Sequence, residues 1–372
     1  MSFEYRLLSL VPVYFEDDRT HSRFAALVGF ERGCGRSDPH RHSNRDPARF
    51  AEGIQERSRK MLSKNHPLVI LCYHGLTHDS SEHLNDFCFV SAKKFAADMD
   101  KVADLGWRFL DLPRAVELLR LGTLSAPSVS ITFDDGFAAS LPLAEPVLRK
   151  HSAHATVFLP TRLTREELNP WFTQVIELIS STQRESFDFL GRNFPLGSEI
   201  QKEAANRKIQ IFLKKLHPNA ISQLLNNLQL ALQVETIPVH RERRLANVDE
   251  CLTARSSGFF SFGAHSATHS IHSKLTPSEL KKEIAESVGF MRDVFGAGAL
   301  HYAYPNGQAG DFGLRCATFL REHGVDSAVT TIAGWNRHGL EPYALKRFCV
   351  GPQTDVGDLL SSRRWNLVSR FL

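Results

Sequence analysis

Four times along this chain of 372 residues, a run of apolar, strand-forming residues ends directly in a cluster of reactive polar side chains. Residues 68–72 lead into Tyr73-His74-Gly75, and residues 128–133 into Asp134-Asp135-Gly136. Residues 259–264 lead into His265-Ser266-Ala267-Thr268-His269, and the strand candidate 299–304 carries Tyr304-Pro305-Asn306-Gly307 at its end. Leu68-Val69-Ile70-Leu71-Cys72 is apolar at every position, the pattern of a strand buried on both faces. In a parallel α/β barrel the C-terminal ends of all strands open on one face, where active sites are built. The four clusters are therefore expected to converge.

Helical segments separate the strands, as parallel pairing requires. Ser91 is placed to cap a helix with the face Phe95, Met99, Val102 and Leu105, closed by Gly106. Residues 141–150 read as helix between the strand candidates 128–133 and 155–159. The best-marked helix has Thr276 as N-cap, Pro277 at N1, Glu279 at N3, and Leu280, Ile284, Val288, Met291 and Phe295 on one face. A last strand candidate spans 327–331. Residues 170–245 break the rhythm with a hairpin at 186–196, turning at Gly191, and helices at 198–216 and 219–234. They read as a mainly helical insertion in an α/β barrel occupying residues 65–372. Residues 1–64 form an extension whose polar stretch, 31–59, has little to bury and is expected to be partly disordered, with a short helix near 50–62.

The hydrophobic share of 42% supplies a large core, and the formal net charge of +4 is spread along the chain, so nucleic acid is not an expected partner. No apolar window reaches the length of a membrane span. The stretch 7–15 is interrupted by Pro12 and followed by acids, unlike a secretory signal, which makes a cytoplasmic location the default expectation. The six cysteines form no C-x-x-C pair. Cys72 and Cys349 lie in apolar runs and read as small core residues.

Adjacent carboxylates at a strand end repel unless a cation or shared proton intervenes. Asp134 and Asp135 are expected to divide their labour, one binding metal and the other free for proton transfer; a solvated D-D-G turn is the plainer reading. His265 and His269, four apart on a helix or tight loop, bring two imidazoles to one side, as a divalent ion requires. His269 and His272 make an overlapping choice. Nitrogen and oxygen donors suit zinc best here, with cobalt, nickel or iron also compatible. The segment 304–307 reads as a turn that aims the Asn306 N–H at a developing oxyanion. Tyr304, Pro305 and Trp335 complete the candidate set as substrate contacts.

T-F-D-D-G, H-S-x-x-H and A-Y-P-N-G, following a Y-H-G strand end, together resemble the polysaccharide deacetylases, carbohydrate esterase family 4 with the NodB-homology domain. The resemblance runs from about residue 67 to 350. It implies a distorted (β/α)7 barrel that hydrolyses N-acetyl groups from sugars. By position Asp134 matches the general base, and Asp135, His265 and His269 the ligands of one divalent metal ion. Three departures stand out: Ala303 where many members carry an Arg that orients the base, Ser270 where proline is frequent, and no late Leu-x-His motif. A first-strand histidine supplies the general acid in some members, a pattern His74 matches; its plainer reading is a hydrogen-bonded histidine at the barrel rim. Leu345-Lys346-Arg347-Phe348-Cys349-Val350 resembles the L-x-R-x-x-V close of exopolysaccharide-linked members, so Arg347 either orients a carboxylate or forms a structural ion pair. The expected substrate is an N-acetylhexosamine-containing polysaccharide or its precursor. The rivals are hydrolysis of a non-sugar amide and a catalytically decayed barrel that only binds glycan.

Overall fold

The computed structural model describes residues 66–78, 88–296 and 298–361. The extension 1–64 and its expected helix lie outside the described residues. The first unit runs through β1 (Leu68–Tyr73), β2 (Gly75–Thr77), β3 (Phe89–Ser91), α1 (Ala92–Asp104), β4 (Arg108–Phe109), α2 (Leu112–Leu121), β5 (Ser128–Phe133) and α3 (Ser140–Lys150). After β6 (Ala155–Leu159) and α4 (Thr161–Glu166) come α5 (Trp171–Ser181), β7 (Ser186–Phe189), β8 (Arg192–Pro195), α6 (Glu199–Leu213) and α7 (Pro218–Leu232). The chain then returns through α8 (Val248–Ser256), β9 (Phe260–Ala264), α9 (Pro277–Phe295), β10 (His301–Ala303), α10 (Leu314–Glu322), β11 (Ser327–Val329), β12 (Phe348–Cys349) and α11 (Val356–Leu360).

Seven parallel strands follow one another in the order β11-β10-β9-β6-β5-β1-β12, with β4 beside β5. The segment ending in β12 closes the ring. Phe348 and Cys349 pair with Leu71 and Cys72, while Leu345 pairs with Val329 and exchanges backbone hydrogen bonds with Ala328 and Thr330. This is the (β/α)7 barrel that the sequence resemblance implies. Strand alternation divides the side chains. Val69, Leu71, Tyr73, Val129, Ile131 and Phe133 join one core with Phe95, Met99 and Val102 of α1. Leu68 and Ile70 join Phe158, Ala303, Val329 and Leu345 in another, against which α2 packs. Phe158 lies over Gly263, where an added Cβ would sit 2.6 Å from the ring and 2.7 Å from the His301 carbonyl oxygen. Only glycine leaves space for that ring.

Helix ends follow their local signals. Ser91 accepts a hydrogen bond from Lys94 N, and Thr276 and Glu279 form the capping box of α9; such a cap contributes about 1 kcal/mol. Leu105 departs from the expected buried face of α1. The helix ends at Asp104, and Leu105, its C-cap, is 42% exposed. Residues 171–232 pack their three helices and hairpin around an apolar core that includes Ile179, Phe187, Ile209 and Leu228.

Candidate active site

The side chain of Asp134 continues the inward face of Ser130 and Thr132 beyond the end of β5, because Val129, Ile131 and Phe133 take the outward positions. Arg347 lies on the inward face of the closing segment, between Leu345 and Cys349, and is fully buried. Its guanidinium grips both oxygens of Asp134, Nη1 donating to Oδ1 at 2.7 Å and Nη2 to Oδ2 at 2.6 Å. Arg347 Nε donates to the Thr330 carbonyl at 2.7 Å, which fixes the fork. Burial pushes the Asp134 carboxyl up, but the Arg347 charge and hydrogen bonds outweigh it and hold the group well below the usual carboxylate range. Asp134 is thus a buried, ionised carboxylate. Of the two readings of Arg347, the geometry favours orientation of this carboxylate, the function that an arginine at position 303 would otherwise supply.

The next residue turns away through a left-handed backbone. Asp135 has φ +67°, Gly136 has φ +74°, and Gly136 N donates to the Asp134 carbonyl at 2.8 Å. This turn brings Asp135 Oδ1 to 3.1 Å from His269 Nε2 and 3.6 Å from His265 Nε2. His265 and His269 do not lie on a helix. They occupy a tight loop after β9 in which Ser266 and His269 are also left-handed, at φ +62° and +58°. The Glu283 carboxylate of α9 pins that loop, accepting from Ala267 N at 2.9 Å, Thr268 N at 3.0 Å and Thr268 Oγ1 at 2.8 Å.

His265 Nδ1 donates to the Ala303 carbonyl at 2.8 Å, which leaves the Nε2 lone pair facing Asp135. Burial pulls the His265 imidazole down to about 4, so the ring is neutral at neutral pH. Asp135 Oδ1 is buried and accepts no hydrogen bond of good geometry among the described residues; burial alone would raise its pKa, yet His269 foremost, then His74 and His265, hold it lowered. The three donor atoms lie within 4.8 Å of one another. A carboxylate oxygen and two imidazole nitrogens facing one point fit a divalent cation. His272 is not an alternative ligand. Its Nδ1 is bonded to the Ser270 carbonyl and its Nε2 to the Tyr302 hydroxyl.

A cavity of about 120 Å³ unites His74, Asp134, Asp135, His265, His269 and Asn306. Segment 171–232 contributes its other wall with Trp171, Phe172, Gln210 and Lys214, and Phe172 packs edge-on against His269 at 4.9 Å. Asn306 has φ +61°; its carboxamide donates to Asp311 and its carbonyl accepts from Thr331 Oγ1, while its backbone N–H makes no hydrogen bond among the described residues. A second cavity of about 480 Å³ shares Trp171, His269 and Ile271 and extends along α7.

The other expected substrate contacts lie elsewhere. Tyr304 is 1% exposed, donates its hydroxyl to the Tyr343 carbonyl and stacks on Phe312. Pro305 is buried in the same turn and does not line the cavity. Trp335 precedes Asn336, whose backbone pairs with Leu68 at the start of β1, the end of the strand away from His74. Two apolar residues, a tyrosine and a tryptophan, look alike as sugar platforms and as packing in a sequence; here packing took them. Conversely, Cys349 is not simply core. It lines the same cavity as His74, Asp134 and Asp135. A Trp171-bearing insertion that shapes a pocket is a reading the sequence supports; Phe172 beside it carries no such signal, since its position depends on how the inserted helices dock.

A sequence profile described as polysaccharide deacetylase matches residues 122–211 and 215–327, together more than half of the chain. His74 and Arg347 lie outside the matched residues. Among curated proteins, a putative polysaccharide deacetylase, YxkH of Bacillus subtilis strain 168, is 31% identical over 151 residues. That match covers 38% of this chain and 50% of the relative, so the chain spans about half the length of it. The Streptococcus pyogenes deacetylase PplD, solved with acetate, superposes with a TM-score of 0.53 at 18% identity over 80% of this chain and 97% of that one. The putative polysaccharide deacetylase BA0330 of Bacillus anthracis gives 0.50 at 18% identity, over 80% and 69% of the two chains. At these identities the superpositions establish the shared barrel. The profile match, across both the Asp134-Asp135 and His265–His269 segments, assigns this chain to the polysaccharide deacetylase family.

Proposed function

We propose that this protein is a divalent-metal-dependent hydrolase that removes N-acetyl groups from an N-acetylhexosamine-containing polysaccharide or its precursor. The observation that carries the reading is the juxtaposition, in one cavity, of an arginine-clamped ionised carboxylate and an Asp-His-His donor set. Asp135, His265 and His269 would hold the ion, with zinc the leading choice for this donor set. When bound, such an ion polarises an amide carbonyl and lowers the pKa of a coordinated water.

The chain's own groups then have distinct tasks. Asp134 is kept unprotonated and oriented by Arg347, so its carboxylate is available as a base toward a water in the cavity. The free N–H of Asn306 is available to donate to the oxyanion that develops on the acetamide. His74, facing the same cavity, is assigned to protonate the leaving amine. The loss of arginine at position 303, which in the sequence argues for a decayed barrel, loses its force because Arg347 reaches the carboxylate from another strand.

A cavity of about 120 Å³ is below the usual size of a ligand pocket, which suits an acetamido group more than a whole sugar. The adjoining 480 Å³ groove mixes Trp171, Pro218 and Ile221 with Asn169, Gln174 and Asn219, apolar faces beside hydrogen-bonding edges. That mixture suits a glycan chain. The test is acetate release from N-acetylglucosamine oligomers by metal-loaded protein and by Asp134→Asn. The expected loss in the variant is at least a hundredfold with the ion retained. Equal rates in the two proteins would overturn the reading.

A further inference from the structure

A second group of potential ligands faces the same cavity on the other side of Asp134. Strand pairing sets Cys72 directly opposite Cys349, so their side chains leave the sheet on the same, inward face. Cys72 Sγ lies 3.5 Å from Asp134 Oδ2, and the donor atoms of Cys72, His74 and Asp134 all fall within 4.8 Å of one another. Cys349 and His74 line the catalytic cavity, which provides a path from outside. The proposed deacetylation uses neither thiol.

We propose that Cys72, His74 and Asp134, joined by Cys349 from the paired strand position, form a second metal site for a thiophilic divalent ion of the zinc, cadmium or cobalt kind. Two sulfurs, one imidazole and one carboxylate make a four-donor set of the type such ions take in tetrahedral sites. The charges balance as well. Two thiolates and the Asp134 carboxylate carry three negative charges, which Arg347 and a divalent ion together cancel; the two thiol protons leave to solvent as the metal–sulfur bonds form. The donor set differs in kind from Asp135, His265 and His269, which offer no sulfur. If the deacetylase reading holds, an ion here occupies the base and the assigned acid, so this site inhibits.

The presence of sulfur makes the test spectroscopic and independent of any substrate. The metal-free full chain is titrated with cobalt under a non-chelating reductant, alongside Cys349→Ser, Cys72→Ser and His265→Ala. The parent is expected to take up two ions, one of them giving sulfur-to-cobalt charge-transfer absorption in the near ultraviolet. Either serine variant should lose that band and one equivalent of ion, whereas His265→Ala should keep the band and lose the other equivalent. Absence of the band in the parent, or its persistence in both serine variants, would overturn the site. In the activity arm, excess cadmium should slow acetate release by the parent more than tenfold, and by Cys349→Ser hardly at all relative to its own rate. A protein that shows the band but releases no acetate from any glycan would sink the deacetylase reading while leaving the second site standing.

Discussion

Replacing Arg347 by methionine tests whether the barrel is built around one ion pair. The side chain is fully buried, donates two short hydrogen bonds to Asp134 and a third to the Thr330 carbonyl, and its guanidinium carbon lies 5.7 Å from the centre of the Phe158 ring. Methionine keeps much of the volume and removes the charge. Asp134, 2% exposed, is then left without its counter-ion. Breaking a buried pair by removing one partner costs about 3–5 kcal/mol, because the remaining charge stays in the low-dielectric interior. Chemical denaturation is the assay, with Asp134→Asn and the double variant completing a cycle. Each single change is expected to cost several kcal/mol, and the double clearly less than their sum. The acid limb of the pH–rate profile is expected to move to higher pH in Arg347→Met, since burial, no longer offset by Arg347, raises the carboxyl's pKa. Arg347→Lys should restore charge but not the two-pronged grip, recovering stability in part and activity less. Additive costs, or an unmoved acid limb, would refute the reasoning.

Other expectations follow from the same geometry. Gly263→Ala should lower stability by about 1–3 kcal/mol in thermal unfolding, because its Cβ would meet both Phe158 and the His301 carbonyl. His272, neutral and pulled down to about 4 by burial, makes the protein acid-sensitive: between its ordinary 6.5 and about 4 the unfolded chain binds a proton the folded one does not, so stability falls as pH falls. His272→Gln should flatten that part of the stability–pH curve, which for this one group spans about 3 kcal/mol at most. Glu283→Gln should weaken divalent-ion affinity about 10–100-fold in competition with a chelator, since the carboxylate orders the histidine loop without being a ligand. His74→Asn should lower the rate of acetate release about 10²–10⁴-fold with the Asp135–His265–His269 ion still bound.

The barrel was legible where strands are long and apolar. Residues 128–133 and 155–159 form β5 and β6 over the expected spans, because Ser-Val-Ser-Ile-Thr-Phe alternates with period two and Ala-Thr-Val-Phe-Leu is rich in β-branched and aromatic residues. Shorter strands such as β4 and β12 have two residues each and leave no periodic signal; they exist because neighbours supply their hydrogen bonds. The candidate donors Asp135, His265 and His269 were legible because their chemistry is local to strand ends. What spacing did not convey is the backbone: the histidines converge through left-handed residues in a loop rather than through one helical turn. Arg347 was readable as a candidate but not its choice of partner, since 213 residues separate it from Asp134. Tyr304 and Trp335 misled for a physical reason. An aromatic ring that packs in a core and one that packs on a sugar satisfy the same apolar demand, and only the location of the cavity separates them.

The central claim is that Asp135, His265 and His269 hold a divalent ion beside Asp134, and elemental analysis tests it without any guess about substrate. The full chain and its His265→Ala variant are stripped of metal, exposed to zinc, nickel or cobalt under a reductant, and passed over a metal-free column. The variant is expected to retain one equivalent of ion fewer than the parent while remaining folded. Equal ion content in the two proteins, or no retained ion in either, would contradict it.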